Sequence, residues 1–248
     1  MLEDDALLLR ANDYRDADRI VTLFTRGAGK LSAIARGARG SKRRFAGSLE
    51  PYSVIRVELD DRAPKNGGEL LTLKRAEIVR GFPGILSDLM RMDVAAAALA
   101  LVREAHAPRV PDEALFMAAV QYLTVVEHEG DPQRSLLLAF SQRVLKLMGL
   151  APRLTVCGRS GAPVPEGRPA FFDPALGAVV SRRHGGGPFL LAPHVRARLV
   201  LAQQDEWVSA AREPWDEADL LLARSAMASF VRLHLPDELA SRLFPAPA

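Results

Sequence analysis

The sequence predicts an α+β protein in which a small β-barrel precedes a larger helical domain. Five short runs with the composition of β-strands fall within residues 1–80 and are joined by turns rich in Gly, Asn and Asp. After residue 81 the chain changes to segments whose apolar residues recur at helical spacing. A segment rich in Pro and Gly, at about residues 151–188, interrupts the helical part. We therefore expect domains at 1–80 and 81–248, with an insert in the second.

The predicted strands are short and closely spaced, at Ala6–Ala11, Arg19–Thr25, Lys30–Arg36, Tyr52–Leu59 and Leu70–Val79. The second is rich in β-branched residues, and the fourth roughly alternates apolar and polar positions. The fifth follows a predicted turn at Pro64–Gly68. Because the oligonucleotide-binding (OB) barrel has five strands, and its face commonly carries single-stranded nucleic acid, the strand number favours an OB-fold.

The helices are predicted from composition and from their ends. Residues 85–107 are rich in Ala, Leu and Met, which favour helix. Pro or Asp-Pro opens several later segments, and Gly149 ends one of them, as expected for helix termini. The later predicted helices are Pro111–Glu129, Asp131–Gly149, Pro193–Gln204, Pro214–Leu235 and Asp237–Phe244.

The insert has the spacing of a zinc ribbon without its ligands. A zinc ribbon has two pairs of ligands, with two residues between the members of each pair. In this sequence two such pairs of positions, separated by twenty residues, hold Cys157, Ser160, Ser181 and His184. Serine hydroxyls are poor zinc ligands, and closed structural sites use thiolate or imidazole. We therefore expect a degenerate zinc-ribbon-like insert with short strands at Ala170–Phe172 and Gly177–Val180, no bound zinc and no other cofactor.

The most basic stretch is Arg26–Tyr52. Between Arg19 and Leu49 there are eight Lys or Arg residues and no Asp or Glu. Uncompensated positive charge on a glycine-rich backbone favours a phosphate backbone as ligand, although a solvated loop without a ligand remains the alternative. Phe45 is weighed equally as a base-stacking residue and as a packing residue. The candidate nucleic-acid-binding residues are Arg26, Lys30, Arg36, Arg39, Lys42, Arg43, Arg44 and Phe45.

Composition restricts the other possibilities. Residues 1–80 carry a net charge of +4, and residues 81–248 carry −1, so the basic character belongs to the N-terminal third. The single cysteine excludes an internal disulfide and fits a reducing compartment. The acidic start of the chain differs from a secretory signal, and no apolar run approaches the ~20 residues that cross a bilayer. We expect a cytoplasmic, nucleoid-associated protein.

Enzyme motifs do not fit the sequence. Gly29-Lys30 lacks both the earlier glycine and the following Ser or Thr of a phosphate-binding loop. Gly27-Ala28-Gly29 lacks the third glycine of a dinucleotide fingerprint, and the histidines form no H-x-x-x-H pair. We therefore expect a protein that is not an enzyme and has no catalytic residues.

The run from Leu23 to Tyr52 resembles the N-terminal signature of the RecO family of DNA repair proteins. Its features appear here in order as Phe24-Thr25, Gly29-Lys30-Leu31, Ala35–Arg39, the basic run Lys42–Arg44, and Leu49-Glu50-Pro51-Tyr52. The resemblance extends to the helix ending at Leu150 and to the insert beginning at Cys157, so it spans most of the chain. The chain departs from the four-cysteine form of the insert at three of the four positions.

The resemblance implies an OB-fold, a helical domain, often a zinc-ribbon-like insert, and no active site. It implies a recombination mediator that binds single- and double-stranded DNA, anneals complementary strands and acts with RecR to load RecA onto DNA coated by single-strand-binding protein (SSB). The implied partners are DNA, RecR, the acidic C-terminal tail of SSB, RecF and, indirectly, RecA. Arg134, Arg143 and Lys146 are the candidates for contacting the SSB tail, with solvated helix charges as the alternative.

Two other functions remain open at this level. One is an RNA-binding OB-fold module, which composition does not separate from a DNA-binding one. The other is a non-catalytic scaffold whose helical domain binds proteins and whose basic loop is incidental. The scaffold predicts negligible DNA binding, whereas phosphate contacts predict binding that weakens steeply with salt.

Overall fold

The computed structural model describes residues 1–41, 43–61, 70–128, 134–212, 214–237, 240 and 244. Lys42, the predicted turn Pro64–Gly68 and the predicted helix start at Asp131 lie outside these residues, as does most of Asp237–Phe244. The chain forms two compact units, Met1–Asp131 and Pro132–Ala248. The barrel ends at Gly81, close to the expected boundary, and two helices follow it within the first unit.

Five strands form a closed barrel at the start of the first unit. The strands are β1 (Leu2–Tyr14), β2 (Asp18–Thr25), β3 (Gly29–Ala35), β4 (Ser53–Asp60) and β5 (Leu71–Gly81). Their order around the barrel is β1-β2-β3-β5-β4, and the pairings are antiparallel except for the parallel contact of β3 with β5. The predicted α+β class and OB-like barrel are confirmed, and every predicted strand is present, with slightly different ends except for β1, which is about twice as long as predicted.

Alternating side chains build the barrel core. In β2, Val21 and Leu23 are buried, and in β3 Leu31, Ala33 and Ala35 are buried while Ser32 is exposed. This period of two is what a strand with one face on a core requires. β1 is longer than predicted because it pairs with β4 through its first half and with β2 through its second half.

Two helices complete the first unit. After the 3₁₀ turn Pro83–Ser87 come α1 (Leu89–Ala105) and α2 (Glu113–His128). The Asp88 side chain accepts hydrogen bonds from the amides of Met90 and Arg91, and it thereby caps the first turn of α1. Phe24 of β2 is fully buried, and its ring lies 6.3 Å from that of Phe116 of α2.

The second unit contains helices and a small sheet. The helices are α3 (Arg134–Leu147), α4 (Pro193–Leu201), α5 (Ser209–Arg212) and α6 (Glu217–His234). The sheet has the order β6-β8-β7-β9, with β6 (Arg153–Cys157), β7 (Ala170–Asp173), β8 (Ala178–Val180) and β9 (Phe189–Leu191). Sequence reasoning predicted β7 and β8 but not β6 and β9. No helix within the described residues has the length and apolarity to cross a bilayer.

Candidate nucleic-acid interface

Some cations of the basic stretch are engaged within the first unit. Arg26, in the turn between β2 and β3, forms an ion pair with Glu113 of α2. The hydrogen bond to Glu113 is the main cause that raises the pKa of the Arg26 guanidinium. Asp4 also faces this turn, where its carboxylate accepts a hydrogen bond of 2.7 Å from the amide of Gly27. Arg26 therefore offers a phosphate less uncompensated charge than the sequence suggests.

Lys30 has a structural role. Its ammonium donates a 2.5 Å hydrogen bond to the carbonyl of Arg103 in the last turn of α1, where helix carbonyls lack intrahelical partners. Partial burial lowers the pKa of Lys30. At the neighbouring Gly29, whose φ is +73°, a Cβ would lie 2.0 Å from the carbonyl oxygen of Val110. The Gly29-Lys30 pair thus fits strand β3 against the α1–α2 connection.

Four arginines of the same stretch are exposed: Arg36, Arg39, Arg43 and Arg44. The described residues place no carboxylate within ion-pairing distance of Arg36, Arg43 or Arg44, and Arg39 Nε lies 3.9 Å from Asp13 Oδ2. Arg44 Nη2 donates a 2.8 Å hydrogen bond to the carbonyl of Arg36, which brings the Arg44 side chain to the backbone of Arg36. This group, called here the arginine cluster, leaves most of its hydrogen-bond donors for a ligand.

Backbone contacts hold the arginine cluster against the barrel. The carbonyl of Arg44 accepts a 2.9 Å hydrogen bond from the amide of Ala76 in β5. At the other end, the amide of Arg39 donates to the carbonyl of Ala17, and its Nη1 donates to the carbonyl of Asp16. The cluster therefore spans from β5 to the turn between β1 and β2.

Phe45 is corrected by the structure as a stacking candidate. Only 2% of Phe45 is exposed, and the ring packs in the barrel core with residues such as Leu49 and Ala76. Arg44 covers the ring, with its guanidinium carbon 5.2 Å from the ring centroid. A base cannot reach this ring, so the packing alternative is the one observed. The large apolar Phe45 anchors the basic stretch to the barrel.

The turn between β1 and β2 supplies residues that sequence reasoning did not select. Tyr14 is 37% exposed, and the Arg15 guanidinium carbon lies 5.1 Å from its ring centroid. Arg39 contacts this same turn through Ala17 and Asp16, so Tyr14 and Arg15 lie beside the arginine cluster. Spacing alone gave no signal for them, because they precede the acid-free stretch and are interleaved with Asp13 and Asp16.

Asp13 and Asp18, the two acidic residues that flank this turn, are engaged by the protein. Asp18 accepts a 2.8 Å hydrogen bond from the amide of Gly37, and Asp13 pairs with Arg19 at 3.1 Å. Arg19 also donates to Glu50 and to the carbonyl of Leu49. The bond to Glu50 is the main cause that raises the pKa of Arg19. Arg19 therefore neutralises carboxylates beside the cluster.

The three helix candidates for partner binding differ from one another. The side chain of Arg134 lies outside the described residues. Arg143 is turned into the second unit, where it forms an ion pair with Asp205 and donates to the carbonyl of Gln203 at 3.2 Å. Lys146 is exposed. Of the two whose side chains are described, only Lys146 is exposed and outside an ion pair with another described residue.

Comparison with known families identifies both parts of the chain. Residues 1–82 match the family model described as recombination protein O N terminal, and residues 86–243 match that of recombination protein O C terminal. A DNA repair protein RecO from Anaeromyxobacter sp. strain K is 39% identical over 241 residues, which cover 96% of this chain and 93% of that protein. The RecO protein of Myxococcus xanthus strain DK1622 is 41% identical over 177 residues, covering 71% of this chain and 70% of that protein.

Proposed function

This chain belongs to the RecO family of recombinational DNA repair proteins, and we propose that its barrel binds single- and double-stranded DNA through phosphate contacts. The arginine cluster is the observation that supports this proposal. Arg36, Arg43 and Arg44 are exposed and have no carboxylate partner among the described residues, and such guanidinium groups suit phosphate oxygens, which they bind with paired hydrogen bonds. Because phosphates carry no base information, the binding would show little sequence preference.

We propose strand annealing as the consequence of this binding. Two complementary strands repel each other as polyanions, and an arginine surface that displaces their counterions lowers that repulsion. No bond is made or broken in the protein, which agrees with the absence of enzyme motifs in the sequence. Annealing therefore requires only that the same surface hold both strands close enough to pair.

The proposed partners follow from the family. We propose that the chain acts with RecR, with RecF as a further partner, to help load RecA onto SSB-coated single strands. We propose the helical part as the docking site for the acidic SSB tail. Lys146 is exposed there and suits an acidic peptide, whereas Arg143 is engaged by Asp205. Substituting Lys146 with Glu is expected to weaken binding of a peptide with the tail's chemistry, measured by fluorescence anisotropy.

The experiment for DNA binding compares two double variants. Arg36→Ala/Arg43→Ala removes two guanidinium groups that form no ion pair within the part of the chain that the structure describes, whereas Arg26→Ala/Arg56→Ala removes two that pair with Glu113 and Asp5. Both lose the same charge. Binding of a labelled single strand of about 30 nucleotides, longer than the roughly 4–16 that one OB-fold covers, is followed by anisotropy across a salt series.

We expect the cluster variant to lose more affinity than the control and to have a shallower salt dependence. At roughly 0.7 per phosphate contact on single strands, the loss of two contacts lowers the slope of log affinity against log salt by about 1.4. Annealing of a complementary labelled pair should slow in the same variant. Equal loss in both variants would show that overall charge, and not the arginine cluster, determines binding.

A further inference from the structure

Two tight turns of the insert lie at the same edge of its sheet. One follows β6, where the amide of Gly161 donates a 2.8 Å hydrogen bond to the carbonyl of Cys157. The other follows β8, where the amides of His184 and Gly186 donate to the carbonyl of Ser181 at 2.9 and 3.3 Å. Because β6 and β8 are parallel neighbours, their carboxyl ends point to one side of the sheet. The two turns are therefore brought together.

The side chains at three of the four zinc-ribbon positions meet between these turns. Cys157 Sγ lies 3.9 Å from His184 Nδ1. Tetrahedral bonds of about 2.3 Å to sulfur and about 2.05 Å to nitrogen would separate the same two atoms by about 3.6 Å. Ser181 Oγ lies 2.7 Å from His184 Nδ1, and Ser160 Oγ accepts a hydrogen bond of 3.4 Å from the amide of Ala162 in the turn after β6. Cys157 and His184 thus have nearly the separation of two ligands of one metal ion, whereas Ser181 and His184 are joined by a direct hydrogen bond.

The chemistry of the four side chains does not fit zinc. The positions supply one thiol, one imidazole and two hydroxyls, whereas structural zinc takes four thiolate or imidazole ligands. Among the described residues no group of three His, Cys, Asp or Glu side chains could hold a metal ion. Hydrogen bonds occupy the side chains instead, and the one from Ser160 is the main cause that lowers the pKa of Cys157 to about 6.

Other contacts hold the insert together. Arg196 of α4 is buried and donates hydrogen bonds to the carbonyls of Leu154, Val164, Pro165, Glu166 and Arg168. Arg159 joins the turns by donating to the carbonyl of His184 at 2.8 Å. Phe172 of β7 is fully buried and packs edge-on against Phe230 of α6, with ring centroids 6.2 Å apart. The insert is therefore held by the hydrogen bonds of the Arg196 guanidinium and by apolar packing around Phe172.

We propose that the insert keeps the two turns of a structural zinc site but folds without metal, with the contacts that join Cys157, Ser181 and His184 in place of the metal. A consequence of this placement can be tested. Replacing the two hydroxyls with thiols supplies a Cys₃His ligand set on the two turns that bring Cys157, Ser181 and His184 together. Ser160→Cys/Ser181→Cys is therefore expected to create a zinc site.

The test measures metal content and metal affinity of the full chain. Wild type and Ser160→Cys/Ser181→Cys are produced in zinc-supplemented medium, dialysed and analysed for zinc. We expect wild type to retain almost none and the variant to retain about one zinc per chain, as one closed four-ligand site requires. Titration of the variant with Co²⁺ should give the absorption bands of a tetrahedral thiolate site. Adding His184→Ala to the variant should weaken zinc binding by at least tenfold.

Wild type also gives a result that does not depend on how the variant folds. Its thermal midpoint should be the same with and without a strong chelator, because no metal supports the insert. One zinc per wild-type chain, or a midpoint that falls on chelation, would overturn the proposal. A variant with the circular dichroism of wild type but no gain in zinc affinity would overturn the assignment of the four positions.

Discussion

Arginines serve different purposes in the barrel's basic stretch and in the second unit. In the arginine cluster, Arg36, Arg39, Arg43 and Arg44 are exposed and make few contacts with the protein. In the second unit, Arg196 is buried and donates its hydrogen bonds to backbone carbonyls. Arg143 forms an ion pair with Asp205 and donates to the carbonyl of Gln203. The number of cations in a segment is therefore a poor guide to binding. Whether a guanidinium group is available to a ligand depends on which protein atoms it already contacts.

We expect the largest effect on stability from substituting Arg196, the buried arginine of this comparison. Arg196→Ala removes the donors that the carbonyls of Leu154, Val164 and Glu166 share, and it opens a cavity beside α4. The bond to Leu154 is fully buried, whereas the others are part-buried, so water can replace some of the lost donors. An unsatisfied buried group costs about 1–3 kcal/mol, and we expect a loss of roughly 2 kcal/mol or more in the free energy of unfolding. Chemical denaturation followed by circular dichroism measures it.

The control for Arg196→Ala is Arg153→Ala, which removes an exposed cation from β6, the strand that also contains Leu154. Surface substitutions of this kind usually change stability by less than about 0.5 kcal/mol. If the two variants unfold at the same denaturant concentration, the carbonyl contacts of Arg196 contribute nothing to stability, and the contrast with the arginine cluster fails.

The second effect sharpens the comparison within the barrel by separating stacking from charge. Tyr14→Ala removes the exposed ring beside the arginine cluster and leaves every charge in place. Stacking of a base on an aromatic ring contributes about 1–3 kcal/mol, and paired bases in a duplex are not available to it. We expect Tyr14→Ala to weaken single-strand binding about fivefold or more while duplex binding stays near its wild-type value.

Tyr14→Phe is the matched control, because it keeps the ring and loses only the hydroxyl. It should bind single strands like wild type in the same anisotropy experiment. An equal loss of affinity for single strands and duplex in Tyr14→Ala would mean that the turn positions the arginine cluster and does not stack on bases.

The fold could be predicted from the sequence largely because its patterns are local. The β-branched residues of β2 and the alternation in β4 identify barrel strands, and Pro or Asp at the segment starts marks helices such as α4 and α6. The strands β6 and β9 were missed because they are five and three residues long and lie among prolines and glycines. No period can show in runs of that length; β7 and β8 are as short and were predicted, so residue type finds such strands only in part.

The candidate site could be predicted only in part. The acid-free stretch gave the arginine cluster, but residue type could not distinguish Lys30, whose ammonium is used by the end of α1, from Arg43, which is exposed. Arg103 lies 73 positions from Lys30 in the sequence, and their contact depends on the packing of α1 beside β3. Phe45 was equally ambiguous, since an aromatic beside a basic run packs or stacks according to the backbone that follows it.

The smallest effect concerns Lys30, which the comparison assigns to structure. Lys30→Met keeps the aliphatic stem and removes the ammonium, so the carbonyl of Arg103 loses a donor at the end of α1. One hydrogen bond of this kind contributes about 0.5–1.5 kcal/mol to stability. We expect a lower thermal midpoint, while the salt dependence of DNA binding keeps its wild-type slope.

Lys74→Met is the control, because Lys74 is exposed and lies 3.6 Å from Asp60 in a surface ion pair that contributes little to stability. A shallower salt slope in Lys30→Met than in Lys74→Met would return Lys30 to the phosphate-binding surface, and it would show that a buried contact to a helix end does not exclude a cation from binding DNA.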